Sequence, residues 1–276
     1  MRALFLCAPL ALAGCVAGAR HHRLGAPVAT ASEPPPQVAA YVAHAGPAAA
    51  RLACSHDPDV PGLTRRRVEL DGHAMNYLAY APTSYDPALP TAVVVALHGA
   101  HMTAEGYEGL GAEVADAKGF LLLVPEGSVA SGQGFTWAAG DALLVGRALD
   151  DLEACYSVDP RRRFVEGYSS GGAIAYLLGL GHAERFAGVA VSAGSLFAAE
   201  AMAKKTLVPG ARWRVPVSLT HGIDDPKIPI ASSRLARDRL AAAGHPVHLH
   251  EHPGGHDISP ALFAETYDDL ATSRAP

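Results

Sequence analysis

The sequence has 276 residues, 49% of them apolar, and a formal net charge of −5 with the histidines neutral. That length holds one large domain, or two small ones, with a sizeable core. No basic block exceeds Arg161-Arg162-Arg163, which argues against nucleic acid or an anionic membrane surface as the main partner.

In chain order, residues 1–14 read as a targeting segment. Arg2 is a minimal positive start, and Ala3 to Ala13 is an apolar run too short to span a bilayer. The run ends in Leu12-Ala13-Gly14-Cys15, which resembles the lipobox of bacterial lipoproteins. The resemblance implies cleavage before Cys15, a diacylglyceryl thioether on its sulfur, and attachment to a membrane through a lipid anchor. A plain secretory signal is the alternative. Either reading puts the mature protein outside the cytoplasm. Residues 15–52 are rich in Ala and Pro around Pro34-Pro35-Pro36, lack periodicity, and read as a disordered tether. A catalytic domain is expected over 53–276.

From Arg65 the chain alternates. Arg65 to Leu70 and Met75 to Ala81 read as a hairpin around Asp71-Gly72. Ala92 to Leu97 is a β-branched run suited to a strand buried on both faces, and Thr103 to Lys118 a weaker helix. Phe120 to Val124 is a second buried strand. Asp141 to Tyr156 is an amphipathic helix with Leu144, Ala148, Leu149 and Leu152 on one face. Arg163 to Glu166 reads as a short strand followed by a helix from Gly172. Strands follow at Gly188 to Ser192, Val217 to His221 and Val247 to His252, with helices over Ile230 to Ala243 and Pro260 to Thr272. Such alternation predicts an α/β fold: a mostly parallel twisted sheet with helices on both faces.

Between strand and helix lies Gly167-Tyr168-Ser169-Ser170-Gly171, a G-x-S-x-G in the context a nucleophile elbow requires. A serine hydroxyl needs a base to take its proton and a carboxylate to orient that base. Both follow in the order Ser, Asp, His on loops after strands: Asp224-Asp225-Pro226 and Gly254-Gly255-His256. Proximity to His256 cannot separate Asp224 from Asp225, but Pro226 holds Asp225 out of the α region and favours it as the acid on an extended, outward-turning loop. Two amides are expected to hold the oxyanion, from Ser170 and from Ala100 in His98-Gly99-Ala100-His101. His98, His101, Trp137 and Tyr168 are the candidate pocket residues, with core packing an equal reading of Trp137. His248, His250 and His252 share one strand face but lack a partner at zinc-ligand spacing, so a polar strand face is preferred and no metal or cofactor is expected.

With these stretches in hand, the chain resembles secreted α/β-hydrolases of the feruloyl-esterase and polyhydroxybutyrate-depolymerase type. The resemblance rests on Tyr80-Ala81-Pro82, Leu97-His98-Gly99, Val124-Pro125-Glu126-Gly127, Trp137 and Cys155-Tyr156-Ser157-Val158-Asp159-Pro160-Arg161. The elbow, His221-Gly222-x-x-Asp225-Pro226-x-x-Pro229 and Gly255-His256-Asp257 complete it. It implies the α/β-hydrolase fold, a Ser169–His256–Asp225 triad with Asp225 rather than Asp224 as the acid, and a Cys54–Cys155 disulfide. It also implies hydrolysis of a small-molecule or polymeric carboxylic ester through an acyl-enzyme. Lys227 departs from the pattern, standing where an apolar residue is usual. A serine peptidase of the same fold and a non-catalytic ligand-binding lipoprotein are the competing readings.

The lipobox makes a prediction. Wild-type protein made in a bacterial host should incorporate labelled fatty acid and partition into detergent, and Cys15→Ser should abolish both. A freely soluble wild-type protein with an N-terminus elsewhere would contradict it.

Overall fold

The computed structural model describes Cys54, residues 61–208 and residues 213–273; the signal segment, Cys15 and the tether lie outside the described residues. Asp71 and Gly72, both at positive φ (51° and 78°), turn the chain between β1 (Gly62–Leu70) and β2 (His73–Ala81). The remaining strands of the main sheet are β3 (Thr91–Leu97), β4 (Leu121–Pro125), β7 (Val158–Tyr168), β8 (Gly188–Ser192), β9 (Val217–Gly222) and β10 (Val247–His252). This eight-stranded sheet runs β1-β2-β4-β3-β7-β8-β9-β10. The two pairings of β2 are antiparallel and the rest are parallel.

Every residue of β3, β4 and β8 is buried, as unbroken apolar runs under helices on both faces require. Helices α1 (Ala104–Lys118) and α6 (Pro260–Thr272) cover one face. Helices α2 (Asp141–Cys155), α3 (Ser170–Gly181), α4 (Leu196–Ala203) and α5 (Ala231–Ala242) cover the other. Local sequence sets their ends. The Thr103 hydroxyl accepts from the Gly106 amide to start α1, and Gly119 closes it in the left-handed conformation. Ser259 and Pro260 start α6 in the same manner.

Three local expectations need correction. Strand β7 begins at Val158, not Arg163; it accommodates Pro160 because its pairing with β3 shifts register between Thr91 and Val93. A small hairpin of β5 (Val129–Ser131) and β6 (Gly134–Thr136), absent from the sequence reading, bridges to Met102 in the loop after β3. Helix α4 was also not expected. It is short, capped by Ser195, and only partly buried.

Cys54 and Cys155 are joined in a disulfide, with Cα atoms 5.4 Å apart across 101 residues. The bond ties the start of the described chain to the end of α2, and it suits an oxidising compartment. On the opposite side of the sheet, Glu166 of β7 is fully buried and accepts a 2.7 Å hydrogen bond from the Tyr107 hydroxyl of α1. Burial pushes this carboxyl up to about 8, against the opposing hydrogen bonds of Tyr107 and Ser192.

Glu166 therefore links stability to pH. Between its ordinary value of 4.5 and about 8, the unfolded chain releases a proton that the folded chain keeps. Stability should fall through that window, by up to roughly 1.4 kcal/mol per pH unit from this group, and level off above it. Glu166→Gln keeps an acceptor for Tyr107 and has no proton to lose. Urea unfolding at pH 5 and pH 8 should show the variant losing less stability than wild type. Parallel losses would refute this role.

Candidate active site

Chain direction across the sheet reverses at β3: the chain passes outward from it to β4, then returns to its other side as β7. Open α/β sheets place their crevice at such a point, beyond the carboxyl ends of the strands. The loop after β3 and the turn after β7 meet there.

The turn after β7 is sharp. Ser169 has φ 53° and ψ −115°, a combination that side-chain-bearing residues rarely adopt. It survives because the surrounding backbone closes on it. A Cβ at Gly171 would strike the Leu97 carbonyl oxygen, and one at Gly167 would strike that of Gly171. The Ser169 amide donates to the Ser192 carbonyl of β8 at 2.8 Å, which pins the turn to the neighbouring strand. Helix α3 starts immediately after it.

Two further loops converge on this serine. The loop after β9 carries Asp225, buried, and the loop after β10 carries His256, whose side chain is 5% exposed. His256 Nδ1 lies 2.7 Å from Asp225 Oδ2, and its Nε2 lies 2.8 Å from Ser169 Oγ. A carboxylate on Nδ1 keeps the proton there and leaves Nε2 free to accept from the serine hydroxyl. Asp225 Oδ1 accepts from the amides of Lys227 (2.8 Å) and Ile228 (2.9 Å). Burial works to raise the Asp225 pKa, but the Ile228 amide, the His256 bond and the Lys227 amide outweigh it and hold the carboxyl low. Asp224 differs. Its side chain is exposed and only its amide engages the neighbouring loop, donating to the Gly254 carbonyl.

A second histidine on this carboxylate was not singled out from the sequence. His221, fully buried at the end of β9, donates from Nε2 to the Ile228 carbonyl at 2.8 Å and lies 3.2 Å from Asp225 Oδ2. Its Nδ1 meets the Ser233 hydroxyl at 2.7 Å. The only hint was its place in the His221-Gly222-x-x-Asp225 stretch.

The amides of Ala100 and Ser170 donate to no backbone group among the described residues. Four candidate pocket residues fare differently. His98 is 0% exposed and lies beneath the loop, so it does not line a pocket. Trp137 is 7% exposed and donates from Nε1 to the His98 carbonyl at 2.8 Å, which fits packing rather than a pocket wall. The Tyr168 hydroxyl donates to the His256 carbonyl at 2.8 Å, while its ring packs over Gly99. His101 alone is exposed, at φ 69°, with Nδ1 2.9 Å from the Ser131 hydroxyl. A cavity of about 360 Å³ beside Arg65, Tyr77, Glu105 and Glu126 includes none of the three triad candidates. Two histidines of β10 meet carboxylates: His250 sits between Glu265 (3.0 Å) and Asp269 (2.6 Å) of α6, and His252 lies 3.8 Å from Asp257.

Comparison with known proteins bears on the fold and the reaction class. The Phospholipase/Carboxylesterase family matches residues 144–273. Feruloyl esterase C of Emericella nidulans is 24% identical over 72% of this chain and 82% of its own length. Poly(3-hydroxyalkanoate) depolymerase C of Paucimonas lemoignei is 31% identical over 37% of this chain, which spans only 27% of that protein. Among solved structures, a ferulic acid esterase superposes with a TM-score of 0.60 at 18% identity, covering 75% of this chain and 96% of the other. Esterase 2 of Thermogutta terrifontis, phosphorylated by paraoxon, gives 0.59 at 16% identity, covering 75% and 91%. Their likeness shows the fold, and the family match adds the reaction class. This chain is a carboxylic ester hydrolase with the α/β-hydrolase fold.

Proposed function

We propose that the protein is a serine esterase that cleaves carboxylic esters through an acyl-enzyme on Ser169. The observation that carries this reading is the unbroken hydrogen-bond chain Ser169–His256–Asp225 on the ends of three parallel strands. As Ser169 Oγ attacks the ester carbonyl, its proton passes to His256 Nε2. Asp225 holds the imidazole in the receptive tautomer and stabilises the imidazolium that forms. The amides of Ala100 and Ser170 receive the oxyanion, and collapse expels the alcohol with the proton from His256. Water then repeats the sequence and frees the acid.

For substrate, the reading favours small aryl esters, such as feruloyl esters, or short hydroxyalkanoate esters. It draws on the names of the two relatives and on two exposed apolar side chains. After β8 and β9 the chain carries Phe197 (77% exposed) and Ile223 (48% exposed), apolar groups on the segments that follow two of the site's strands. Among the described residues between Ser192 and Val217 the one helix is the eight-residue α4, little material for a lid. The same reading places the enzyme outside the cytoplasm, held by lipid on Cys15 and stapled by Cys54–Cys155.

Two measurements test it. Asp225→Asn should lower kcat on a soluble aryl ester by about 10³–10⁴ with the fold intact by circular dichroism, whereas Asp224→Asn should stay within about tenfold. The reverse ranking would move the acid one residue upstream. Short-chain and aryl esters should be cleaved faster than long-chain triglycerides, with no rate jump at a lipid interface. An interfacial jump would contradict the open crevice.

A further inference from the structure

We infer that His98 is a positioning residue that aims the Ala100 amide at the oxyanion, and that the β5–β6 hairpin region locks it in the tautomer this requires. The inference rests on the proposed roles of Ser169 and Ala100.

The argument starts from donors and acceptors. The Gly127 amide, just before β5, lies 3.1 Å from His98 Nε2. An amide only donates, so Nε2 must be the bare nitrogen and Nδ1 must carry the proton. That Nδ1–H meets the carbonyl oxygen of Gly99 at 2.8 Å. Burial lowers the His98 pKa, so the ring stays neutral and this arrangement of one donor and one acceptor persists. Within the trans, planar peptide joining Gly99 to Ala100, the carbonyl and the N–H point in opposite directions. A ring that grips the Gly99 carbonyl therefore fixes the direction of the Ala100 N–H, which its proposed role aims at the oxyanion on Ser169.

The surrounding bonds leave the loop little freedom. The Met102 amide donates to the same Gly99 oxygen at 3.3 Å. On the far side His101 and Met102 form a bridge with Phe135 of β6, with bonds of 3.0 Å and 2.9 Å. Trp137 grips the His98 carbonyl and lies against its ring, with centroids 4.8 Å apart. A side chain at Gly134 would collide with the Met102 carbonyl, so the hairpin lies flat on the loop. Ala100 supplies one of the two oxyanion donors; the hairpin region and His98 decide where it points.

The test compares His98→Leu, which keeps apolar bulk and removes both nitrogens, with His98→Asn, which restores a donor and an acceptor. Each is assayed for kcat, KM and inhibition by an aryl trifluoromethyl ketone, which forms a tetrahedral oxyanion on the serine. His98→Leu should lose about 10²–10³ in kcat, the cost of one oxyanion donor, with KM nearly unchanged. Its affinity for the ketone should fall by the same factor as kcat/KM, and His98→Asn should recover at least roughly tenfold of the loss. If His98→Leu does not fold, Trp137→Phe, which removes only the grip on the His98 carbonyl, should show the same signature at smaller size. Loss of kcat without loss of ketone affinity, or no loss at all, would overturn the inference. Ser169→Ala run in parallel separates the two levels. An active Ser169→Ala would bring down the underlying reading, whereas an inactive one beside an unimpaired His98→Leu would bring down only this inference.

Discussion

Ser169 sits in a backbone conformation that costs free energy, of order 1–3 kcal/mol for such residues, and the architecture around it exists to hold it there. Helix α3 must begin so close to the end of β3 that only hydrogen fits on the Cα of Gly171. Strand β8 must run alongside to receive the Ser169 amide. Both conditions follow from where β7 lies in the sheet: between β3 and β8, with fully buried strands on either side. The buried strands supply rigidity, and rigidity keeps the hydroxyl presented above the sheet rather than relaxed into a helical turn.

The same logic of close approach assembles the other two residues. A Cβ at Gly222, the last residue of β9, would meet the carbonyl oxygens of Gly254 and Gly255, so the acid loop and the histidine loop can touch. Backbone bonds from Ile223 and Asp224 to the β10 loop then fix their register, and that register turns Asp225 inward and leaves Asp224 in solvent. A buried carboxylate without partners would be protonated or expelled. Here two amides and His256 hold it ionised, and the charge is ready to support an imidazolium.

Much of this could be read from the residues. The glycine and serine spacing, the order of acid and histidine, and the β-branched runs are local signals, and each matches a local feature of the structure. Choosing Asp225 over Asp224 rests on the Pro226 that follows it and on the family resemblance, because adjacent carboxylates carry the same chemistry in a sequence. What escaped reading depends on distant pairing. The β5–β6 strands are three residues each and are held by bonds to His101 and Met102, so no period-2 pattern announces them. In the sequence His98 reads as a pocket candidate or as a structural residue of a glycine turn; its 0% exposure follows from a sheet end and hairpin that spacing does not reveal. His221 lies in a recognised stretch, yet its inward orientation follows from β9 being an interior strand.

The central claim is a covalent intermediate on one strained serine. Rapid acid quench during turnover of an activated aryl ester, followed by peptide mapping by mass spectrometry, tests it most directly. The account predicts a burst approaching roughly one acyl group per chain, located on Ser169 and absent from Ser169→Ala. An acyl group on another residue, or full turnover by Ser169→Ala with no acylated peptide, would contradict it.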